Sequence, residues 1–396
     1  MSEQQSALFP TYARFPITLV KGEGSRLWDD QGKEYLDFAS GLAVTNLGHA
    51  PQKVKEKLVE QLGELWHVSN LFHIPNQEKL GQLLVDNSCL DAAFFCNSGA
   101  EANEAAIKLA RKYNAKVLGK QRYEIITFHT SFHGRTLATL TATGQDKVKE
   151  GFHPLPEGFV YAPYNDAEAL KGFVTDKTCA IMLELVQGEG GVNPAEPEFV
   201  QEVVRLCKEH DLLLIIDEIQ TGMGRTGKLF AYEHYGIEPD IITLAKALAS
   251  GFPIGAMLGK AKLREAFGPG SHGSTFGGTP IATAAGIATV ETMLEENLAG
   301  RAAEMGDYIL SELHAKLAGN PLVKQIRGKG LLIGIECTLP ASEFVPVIHE
   351  AGLLVTAAGP NVIRLLPNLL VTREEVNEGI GIIADVLARK AAASVK

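Results

Sequence analysis

Short apolar runs alternate with amphipathic stretches over most of the chain. From about Val54 onward, the runs AAFFC, EIITF, CAIMLELV, LLLIID, DIITLA and IGAMLG are interleaved with segments in which apolar residues recur at helical spacing. Continuous apolar runs of this length, separated by helices, are typical of the buried strands of a mostly parallel sheet that is covered by helices on both faces. The pattern therefore predicts an α/β domain.

The two ends of the chain follow other patterns. Residues 17–38 alternate apolar and polar positions around turn residues, which predicts an antiparallel meander. After about Leu298 we expect a long amphipathic helix, a strand at GLLIGIE, a helix near residues 342–351 and a closing helix. The meander is too short to form a core alone, so we expect it to join this C-terminal part in a smaller α+β domain. The predicted segments are 1–50 (part of the small domain), 51–298 (the large domain) and 299–396 (the C-terminal small domain).

Composition and charge exclude several classes of protein. The chain has 45% hydrophobic and 21% charged residues, and 37 basic against 47 acidic residues give a net charge of −10. An acidic balance argues against nucleic acid or an anionic membrane surface as the main partner. We find neither a signal-peptide pattern nor an apolar stretch near the ~18 residues of a membrane span, so we predict a cytoplasmic protein. The five cysteines are widely spaced and mostly lie in apolar runs, which predicts neither disulfides nor a metal site.

The segment IIDEIQTGMGRTG, residues 215–227, contains a literal G-x-G-x-x-G at Gly222, Gly224 and Gly227. A dinucleotide fingerprint needs its first glycine directly at the end of a strand and a long helix that opens at the last one. Here five residues separate Ile216 from the first glycine, and the sequence after the loop favours only a short helix. We therefore interpret the loop as a turn of the chain.

Two polar residues follow neighbouring apolar runs. Asp217 ends the run LLLIID, and Lys246 follows DIITLA, 29 residues later. The carboxyl ends of parallel strands form the ligand crevice of such sheets. A lysine in a poorly hydrated site becomes a nucleophile, and pyridoxal phosphate requires such a lysine together with an anionic partner for its ring nitrogen. Two alternatives stay open: Asp217 pairs with Arg225, or Lys246 is a solvated residue at the start of a helix.

Two further segments carry candidate binding residues. In CNSGAEANEAAIKLARK, Asn97 or Ser98 can cap a helix whose free N–H groups at Gly99 and Ala100 suit a phosphate, although a cap without a ligand explains the segment equally well.

In SFHGRT, Phe132 can stack on a planar cofactor and Arg135 can bind a carboxylate. A core phenylalanine and a surface ion pair are the alternatives for these two residues. His133 has no evident metal-binding partners, so we predict no metal.

Six motifs in fixed order carry a resemblance to a known family. NSGAEANEAAIKLAR, SFHGRT, QGEGG, IIDEIQTGMGRTG, LAKALASGFPIGAM and HGSTFGG together resemble those of the class III pyridoxal-phosphate aminotransferases, and within that family most resemble the acetylornithine aminotransferases. The likeness runs from about Phe9 to the final helix. It implies fold type I: a large domain with a mostly parallel seven-stranded sheet flanked by helices, a smaller α+β domain, and a homodimer with active sites at the subunit interface.

The resemblance also implies a role for each matching residue. Lys246 is the Schiff-base lysine and proton carrier, and Asp217 keeps the ring nitrogen protonated. The implied cofactor contacts are Gly99 and Ala100 (phosphate), Phe132 and Ile219 (ring faces), Gln220 (ring hydroxyl) and Thr275 (phosphate of the neighbouring subunit). The implied substrate contacts are Arg135 (α-carboxylate), Ser274, and Arg364 (2-oxoglutarate carboxylate), with Glu189 masking Arg364. An ordinary ion pair is the alternative for Glu189 and Arg364.

The implied reaction is transamination of N2-acetyl-L-ornithine with 2-oxoglutarate in arginine biosynthesis. Leu42 stands where ornithine aminotransferases carry a tyrosine that meets a free α-amino group, and an apolar residue favours an acylated donor. Donors that stay open are 4-aminobutyrate, succinylornithine, ornithine and succinyl-diaminopimelate. Thr279 and the segment GHAPQK depart from the family pattern, which puts local loop packing in doubt.

Three other classes of protein stay open. An aminomutase of the same fold would not need 2-oxoglutarate, a dinucleotide oxidoreductase would have a nicotinamide or flavin spectrum, and a binding protein would have no cofactor.

Overall fold

The computed structural model describes residues 7–394. The strands in chain order are β1 (Leu19–Glu23), β2 (Arg26–Asp29), β3 (Glu34–Asp37), β4 (Ala92–Cys96), β5 (Glu124–Phe128), β6 (Phe159–Ala162), β7 (Thr178–Leu183), β8 (Val186–Gln187), β9 (Asn193–Pro194), β10 (Leu213–Asp217), β11 (Ile241–Leu244), β12 (Gly255–Gly259), β13 (Val323–Lys329), β14 (Leu332–Cys337), β15 (Leu353–Leu354), β16 (Thr356–Ala358) and β17 (Val362–Leu365). The helices are α1 (Ser40–Ala43), α2 (Gln52–Leu62), α3 (Pro75–Asp86), α4 (Gly99–Lys112), α5 (Leu137–Ala142), α6 (Ala167–Leu170), α7 (Pro197–His210), α8 (Pro280–Glu295), α9 (Leu298–Lys316), α10 (Val345–Glu350) and α11 (Arg373–Ser394).

The largest sheet has seven strands in the order β4-β12-β11-β10-β7-β5-β6. Strands β7, β10, β11 and β12 are buried along their whole length, as their continuous apolar sequences predict. All neighbouring pairs are parallel except those of β12, which runs antiparallel to β11 and β4. Only residues 245–254 join β11 to β12, too few for the crossover that a parallel pair needs. The predicted α/β fold with a mostly parallel sheet is confirmed.

The N-terminal meander is confirmed, and it pairs with the far end of the chain. Strands β1, β2 and β3 are antiparallel, and β15 adds to β3 in parallel. A second sheet of the C-terminal part has the order β13-β14-β17-β16. The expected helix near residues 342–351 is a 3₁₀ turn (Ala341–Glu343) followed by α10. Pro346 lies in the first turn of α10, a position from which proline starts a helix but cannot continue one. The domain boundaries stay a prediction.

The glycine loop after β10 is a packing junction. Gly224 and Gly227 have positive φ angles of 80° and 96°. A Cβ atom on Gly224 would lie 2.8 Å from Met293 Cε, and one on Gly227 would lie 2.9 Å from Ala303 Cβ. Both positions therefore require glycine for backbone conformation and for close approach to neighbouring helices. The interpretation as a turn is confirmed.

Arg225 of this loop is fully buried and connects distant segments. Its guanidinium donates to the carbonyl oxygens of Leu331 at 3.0 Å and Pro367 at 2.5 Å and to Asn46 Oδ1. The alternative pairing of Arg225 with Asp217 is therefore wrong.

The sequence predicted neither a membrane span nor a metal site, and residues 7–394 can be searched for both. Within this range, no helix is long and apolar enough to cross a membrane, and no cluster of His, Cys, Asp or Glu suits a metal ion. The five cysteines are free, and four of them are buried.

Candidate active site

A cavity of about 460 Å³ lies at the carboxyl ends of β10 and β11. It has a size typical of small-molecule sites. Its lining residues are Val44, Asn97, Ser98, Gly99, Ala100, Phe132, His133, Gly134, Arg135, Glu184, Asp217, Ile219, Gln220, Ala245, Lys246, Gly251, Phe252, Pro253 and Ile254. The fold thus brings together at one cavity residues from four motifs that lie far apart in the sequence.

Lys246 begins a 3₁₀ turn just after β11 and lines the cavity. Its φ angle of 42° is left-handed, a conformation that costs energy for a residue with a side chain and that clusters at functional sites. Burial lowers the pKa of its ammonium, against the opposing effect of Glu189. The amine therefore loses its proton more readily than an exposed lysine does. Lys246 does begin a short helical turn, but its side chain is half-buried at the cavity wall and not fully solvated.

Asp217 is the last residue of β10 and is buried. Its Oδ2 accepts hydrogen bonds from Asn103 Nδ2 and His133 Nδ1, both at 2.8 Å, and its Oδ1 accepts one from Ile219 N at 3.0 Å. Burial opposes a proton on His133, yet the Asp217 carboxylate raises the pKa of this histidine. Three donors thus hold the buried carboxylate in a fixed orientation at the cavity wall.

Sequence reasoning missed His133 and Asn103 as partners of this carboxylate. Asn103 lies on the buried face of α4 among alanines, and a fully buried asparagine there is itself a signal, since its amide needs a partner. For His133 itself, the sequence suggested only the question of metal binding. Its Nδ1 contact fixes the ring tautomer, with the proton toward Asp217.

The first turn of α4 borders the cavity with small residues. Ser98 caps the helix, because its Oγ accepts from Glu101 N at 3.3 Å. A Cβ atom on Gly99 would lie 2.8 Å from Ile219 Cδ1. Glycine therefore lets Ile219 pack directly over the helix terminus, where the N–H groups of Gly99 and Ala100 begin the helix.

Phe132 and Arg135 follow β5 and both line the cavity. Phe132 is half-buried, so its assignment as an ordinary core residue is wrong. The Arg135 guanidinium lies 5.6 Å from the centroid of the Phe132 ring and is exposed. An exposed arginine at the rim of a cavity remains free to meet an anionic ligand.

Glu184 is a second carboxylate of the cavity wall that sequence reasoning missed. It is buried, and it accepts hydrogen bonds from Phe132 N at 2.9 Å and Gly188 N at 3.2 Å. Burial raises its pKa to about 7, and nearby Asp217 adds to this effect. Glu184 therefore ties the loop that carries Phe132 to the loop that carries Glu189.

Arg364 forms a buried polar cluster next to the cavity. Its Nη1 donates to Glu189 Oε1 at 2.6 Å and to Gln220 Oε1 at 3.1 Å, and Gln220 Nε2 donates to the same Glu189 oxygen at 3.3 Å. Burial opposes ionisation of Glu189, but Arg364 lowers its pKa overall. Gln220 lines the cavity, so the ion pair reaches the cavity through this residue.

Several predicted residues lie outside the cavity. Ser274 is at its edge, where its Oγ accepts from Asn97 Nδ2 at 3.1 Å. Thr275 is exposed and lines no part of the cavity in this chain, and the same holds for Leu42. Thr279 caps α8, with its Oγ1 accepting from Ala282 N at 3.4 Å. Because threonine and asparagine both serve as caps, this departure from the family pattern leaves the helix start intact.

Known proteins resemble this chain over almost its whole length. A family profile described as "Aminotransferase class-III" matches residues 9–387. The acetylornithine aminotransferase of Oceanobacillus iheyensis is 53% identical over 96% of both chains, and that of Halalkalibacterium halodurans is 56% identical over 96% of this chain and 98% of the relative. A structure of ornithine aminotransferase from Toxoplasma gondii, with partial occupancy of PLP in its active site, superimposes with a TM-score of 0.95 at 33% identity and covers 98% of this chain and 94% of that one.

Proposed function

The chain belongs to the class III aminotransferases, and we propose that it transfers the side-chain amino group of N2-acetyl-L-ornithine to 2-oxoglutarate. The products are N-acetyl-L-glutamate 5-semialdehyde and L-glutamate, a step of arginine biosynthesis. Pyridoxal 5'-phosphate is the cofactor. The observation that carries this proposal is the convergence of Lys246, Asp217 and the first turn of α4 on one cavity. Relatives called acetylornithine aminotransferase, at 50–56% identity over nearly the full length, support the donor.

The residues of the cavity fit this cofactor. Lys246 would supply an amine of lowered pKa for the covalent bond, and Asp217 would supply a carboxylate, held in place by Asn103 and His133, for the ring nitrogen. Gly99 and Ala100 would supply N–H groups at a helix N-terminus for the phosphate, beside Ile219, which packs directly against Gly99. Phe132 and Ile219 supply apolar surface for the ring, and Gln220 an amide for its hydroxyl.

When bound, pyridoxal phosphate supplies an electron sink for the carbon next to the transferred nitrogen. Lys246 would take the proton from that carbon and return it at the other end of the reacting group, a role that the lowered pKa of its amine favours. Asp217 keeps the ring nitrogen protonated through its negative charge. His133 and Asn103 orient this carboxylate.

The two sites that would bind substrate carboxylates differ in net charge, because within residues 7–394 Arg135 has no acidic partner and Arg364 is paired with Glu189. Arg135 at the exposed rim binds the α-carboxylate of the amino-acid substrate, near Ser274. Arg364 binds a carboxylate of 2-oxoglutarate, and Glu189 masks Arg364 while the amine donor is bound. The ion pair between buried Arg364 and half-buried Glu189 supports this assignment, because a masked arginine presents no net charge to the apolar chain of a donor.

We also propose a homodimer in the cytoplasm. The exposure of Thr275, which the motif HGSTFGG assigns to a phosphate contact, supports a role in the cavity of a second copy.

The test is an absorbance spectrum followed by a donor assay. We expect the purified protein to bind pyridoxal phosphate with a yellow absorbance band that Lys246→Ala abolishes. Five donors are then compared against 2-oxoglutarate: acetylornithine, succinylornithine, succinyl-diaminopimelate, ornithine and 4-aminobutyrate. The highest kcat/KM on acetylornithine supports the proposal. A higher kcat/KM on another donor identifies that donor as the substrate instead. A protein that takes up no pyridoxal phosphate contradicts the function as a whole.

A further inference from the structure

Thr356 faces Arg364 across two antiparallel strands. The register of β16 and β17 places the two residues directly opposite each other. Opposite residues of an antiparallel pair point their side chains to the same face of the sheet, with Cβ atoms about 5 Å apart. Arg364 Nε donates to Thr356 Oγ1 at 3.1 Å. The contact is therefore built into the pairing of the sheet.

The hydrogen bonds of Arg364 divide into two groups. Its Nη1 donates to Glu189 and Gln220, and its Nε donates to Thr356. Within residues 7–394, Nη2 has no hydrogen-bond partner, although the side chain is 1% exposed. A buried guanidinium with a free terminal nitrogen is prepared for one more acceptor.

The two groups respond differently when a carboxylate binds. An incoming carboxylate that takes the terminal nitrogens in the bidentate manner typical of arginine displaces Glu189. The contact with Thr356 uses Nε, so a carboxylate that binds the two terminal nitrogens end-on does not need to displace it. Thr356 is then a fixed anchor that persists in the unmasked state and holds the plane of the guanidinium.

We propose that Thr356 is a positioning residue for the 2-oxo acid half of the reaction. Its hydroxyl orients Arg364 so that the terminal nitrogens meet a substrate carboxylate. The inference rests on the proposed function, because it takes Arg364 as the carboxylate site. It predicts an effect on the acceptor and little effect on the amine donor.

The test compares Thr356→Val, which keeps the shape but removes the acceptor, with Thr356→Ser, which keeps the acceptor. Hydrogen bonds to charged groups are strong enough for the valine variant to raise KM for 2-oxoglutarate roughly five- to twentyfold. We expect KM for the amine donor and kcat at saturating 2-oxoglutarate to change less than about twofold. The serine variant restores KM to near the value of the unmodified enzyme. Thr356→Ala provides a second loss-of-hydroxyl variant if the valine variant folds poorly.

Single-turnover absorbance separates the two half-reactions. The amine half-reaction of the valine variant keeps its rate, while the 2-oxoglutarate half-reaction needs a higher concentration to reach half its maximal rate. An unchanged KM for 2-oxoglutarate in the valine variant overturns the role of Thr356, and so does equal impairment in the serine variant. Absence of turnover with 2-oxoglutarate in the unmodified enzyme instead contradicts the proposed function.

Discussion

Asp217 has three protein donors before any ligand is considered: Asn103, His133 and the backbone of Ile219. Such a network holds the carboxylate in place. The proposed role of Asp217 as partner of a ring nitrogen depends on a negative charge, whereas the fold depends mainly on the shape and hydrogen bonds of the side chain.

Asp217→Asn is therefore expected to lose activity while the protein still folds. The amide fills the same space but carries no charge, so we expect kcat to fall by about a thousandfold or more, which corresponds to roughly 4 kcal/mol of transition-state stabilisation. The measurement is kcat, together with circular dichroism and cofactor absorbance.

Asp37→Asn is a matched control for this variant. Asp37 is also a buried aspartate, and its Oδ2 lies 2.7 Å from His49 Nε2, but it does not line the cavity. We expect its loss to lower stability and to change kcat less than tenfold. Near-normal turnover of Asp217→Asn contradicts the ring-nitrogen role.

Glu218, which had no evident role in the sequence, has a structural one. It is buried, its Oε1 accepts from Tyr232 N at 3.0 Å, and its Oε2 accepts from Thr221 Oγ1 at 2.5 Å. Burial raises its pKa to about 7. The side chain therefore fastens the start of the loop to the 3₁₀ turn that follows it.

This raised pKa predicts a pH-dependent stability. The folded state binds the proton more tightly than the unfolded state, so the stabilising contribution is complete below the ordinary pKa of 4.5 and is lost as pH rises through about 7. Glu218→Gln carries no charge; its Oε1 can still accept from Tyr232 N, and its Nε2 can donate to the Thr221 hydroxyl in place of the oxygen that accepts from it. We expect the variant to gain about 2 kcal/mol of unfolding free energy relative to the parent between pH 5 and pH 8. Urea unfolding at both pH values and one protein concentration measures this difference, and parallel pH profiles contradict it.

At the residue scale, the sequence predicted the charged and nucleophilic residues of the site better than the residues that hydrogen-bond to them and hold them in place. Lys246, Asp217 and Arg135 lie together because each is at the carboxyl end of a strand, or in the loop after it, on the same edge of the large sheet. The apolar runs of the sequence already indicated these strand ends. The sequence did not indicate the roles of Asn103 and Glu184. Asn103 lies on a helix face that is otherwise apolar, and Glu184 lies within an apolar run. Only the packing of α4 and the loop after β7 shows what they contact.

At the scale of elements, the first turn of α4 depends on the absence of one side chain. Gly99→Ala would place a methyl group 2.8 Å from Ile219 Cδ1 and 2.9 Å from its Cγ2. Ile219 then has to shift toward the cavity. We expect affinity for pyridoxal phosphate to fall roughly five- to tenfold, equivalent to about 1 kcal/mol of strain, as measured by absorbance titration of the apoenzyme.

Gly381→Ala in α11 is the control for this variant, because nothing lies within 4 Å of the added Cβ. Alanine replaces glycine within a helix there, so stability stays the same or rises by up to about 1 kcal/mol. Equal cofactor affinities in Gly99→Ala and Gly381→Ala contradict the role of the α4 terminus.

Six of the seven strands of the large sheet followed from apolar runs in the sequence, but the half-buried edge strand β6 did not, and neither did every strand direction and partner. Each of the six apolar runs contains a strand of the large sheet, since continuous burial needs continuous apolar sequence. The antiparallel direction of β12 depends on the length of its connection to β11. The alternation of helices and strands alone does not predict this antiparallel direction.

At the scale of the whole molecule, residues far apart in sequence complete the same layer. Strand β3 pairs with β15 across more than 300 residues, and Arg26 Nη2 lies 2.6 Å from Glu378 Oε2 of α11. The periodicity of residues 17–38 predicted the strands and the need for a partner. The partner's identity could not be read from a local pattern, because it is set by the course of the entire chain between them.

One surface of the molecule carries an apolar patch formed by Trp66, Leu71, Phe72 and Phe276, with exposures of 61%, 87%, 64% and 61%. The two loops of the patch are joined, since Asn70 Nδ2 donates to the carbonyl oxygens of Ser274 and Gly277, both at 3.0 Å. Clustered exposed aromatic and aliphatic side chains mark association surfaces. Thr275 lies in the second loop, so in the proposed homodimer this patch is the expected route by which one protomer reaches the cavity of the other.

The double variant Leu71→Asp with Phe72→Asp is therefore expected to convert a dimer to a monomer. Two charges placed in an apolar interface lose hydration without gaining a partner, at a cost of several kcal/mol. Light scattering after size-exclusion chromatography measures the mass against the 42.6 kDa of one chain, and kcat should fall with the dimer fraction because Thr275 no longer reaches a second cavity. Val347→Asp, on the exposed side of α10, is the control and should keep both mass and activity. A double variant that stays dimeric and fully active would show that the subunits do not meet through this patch.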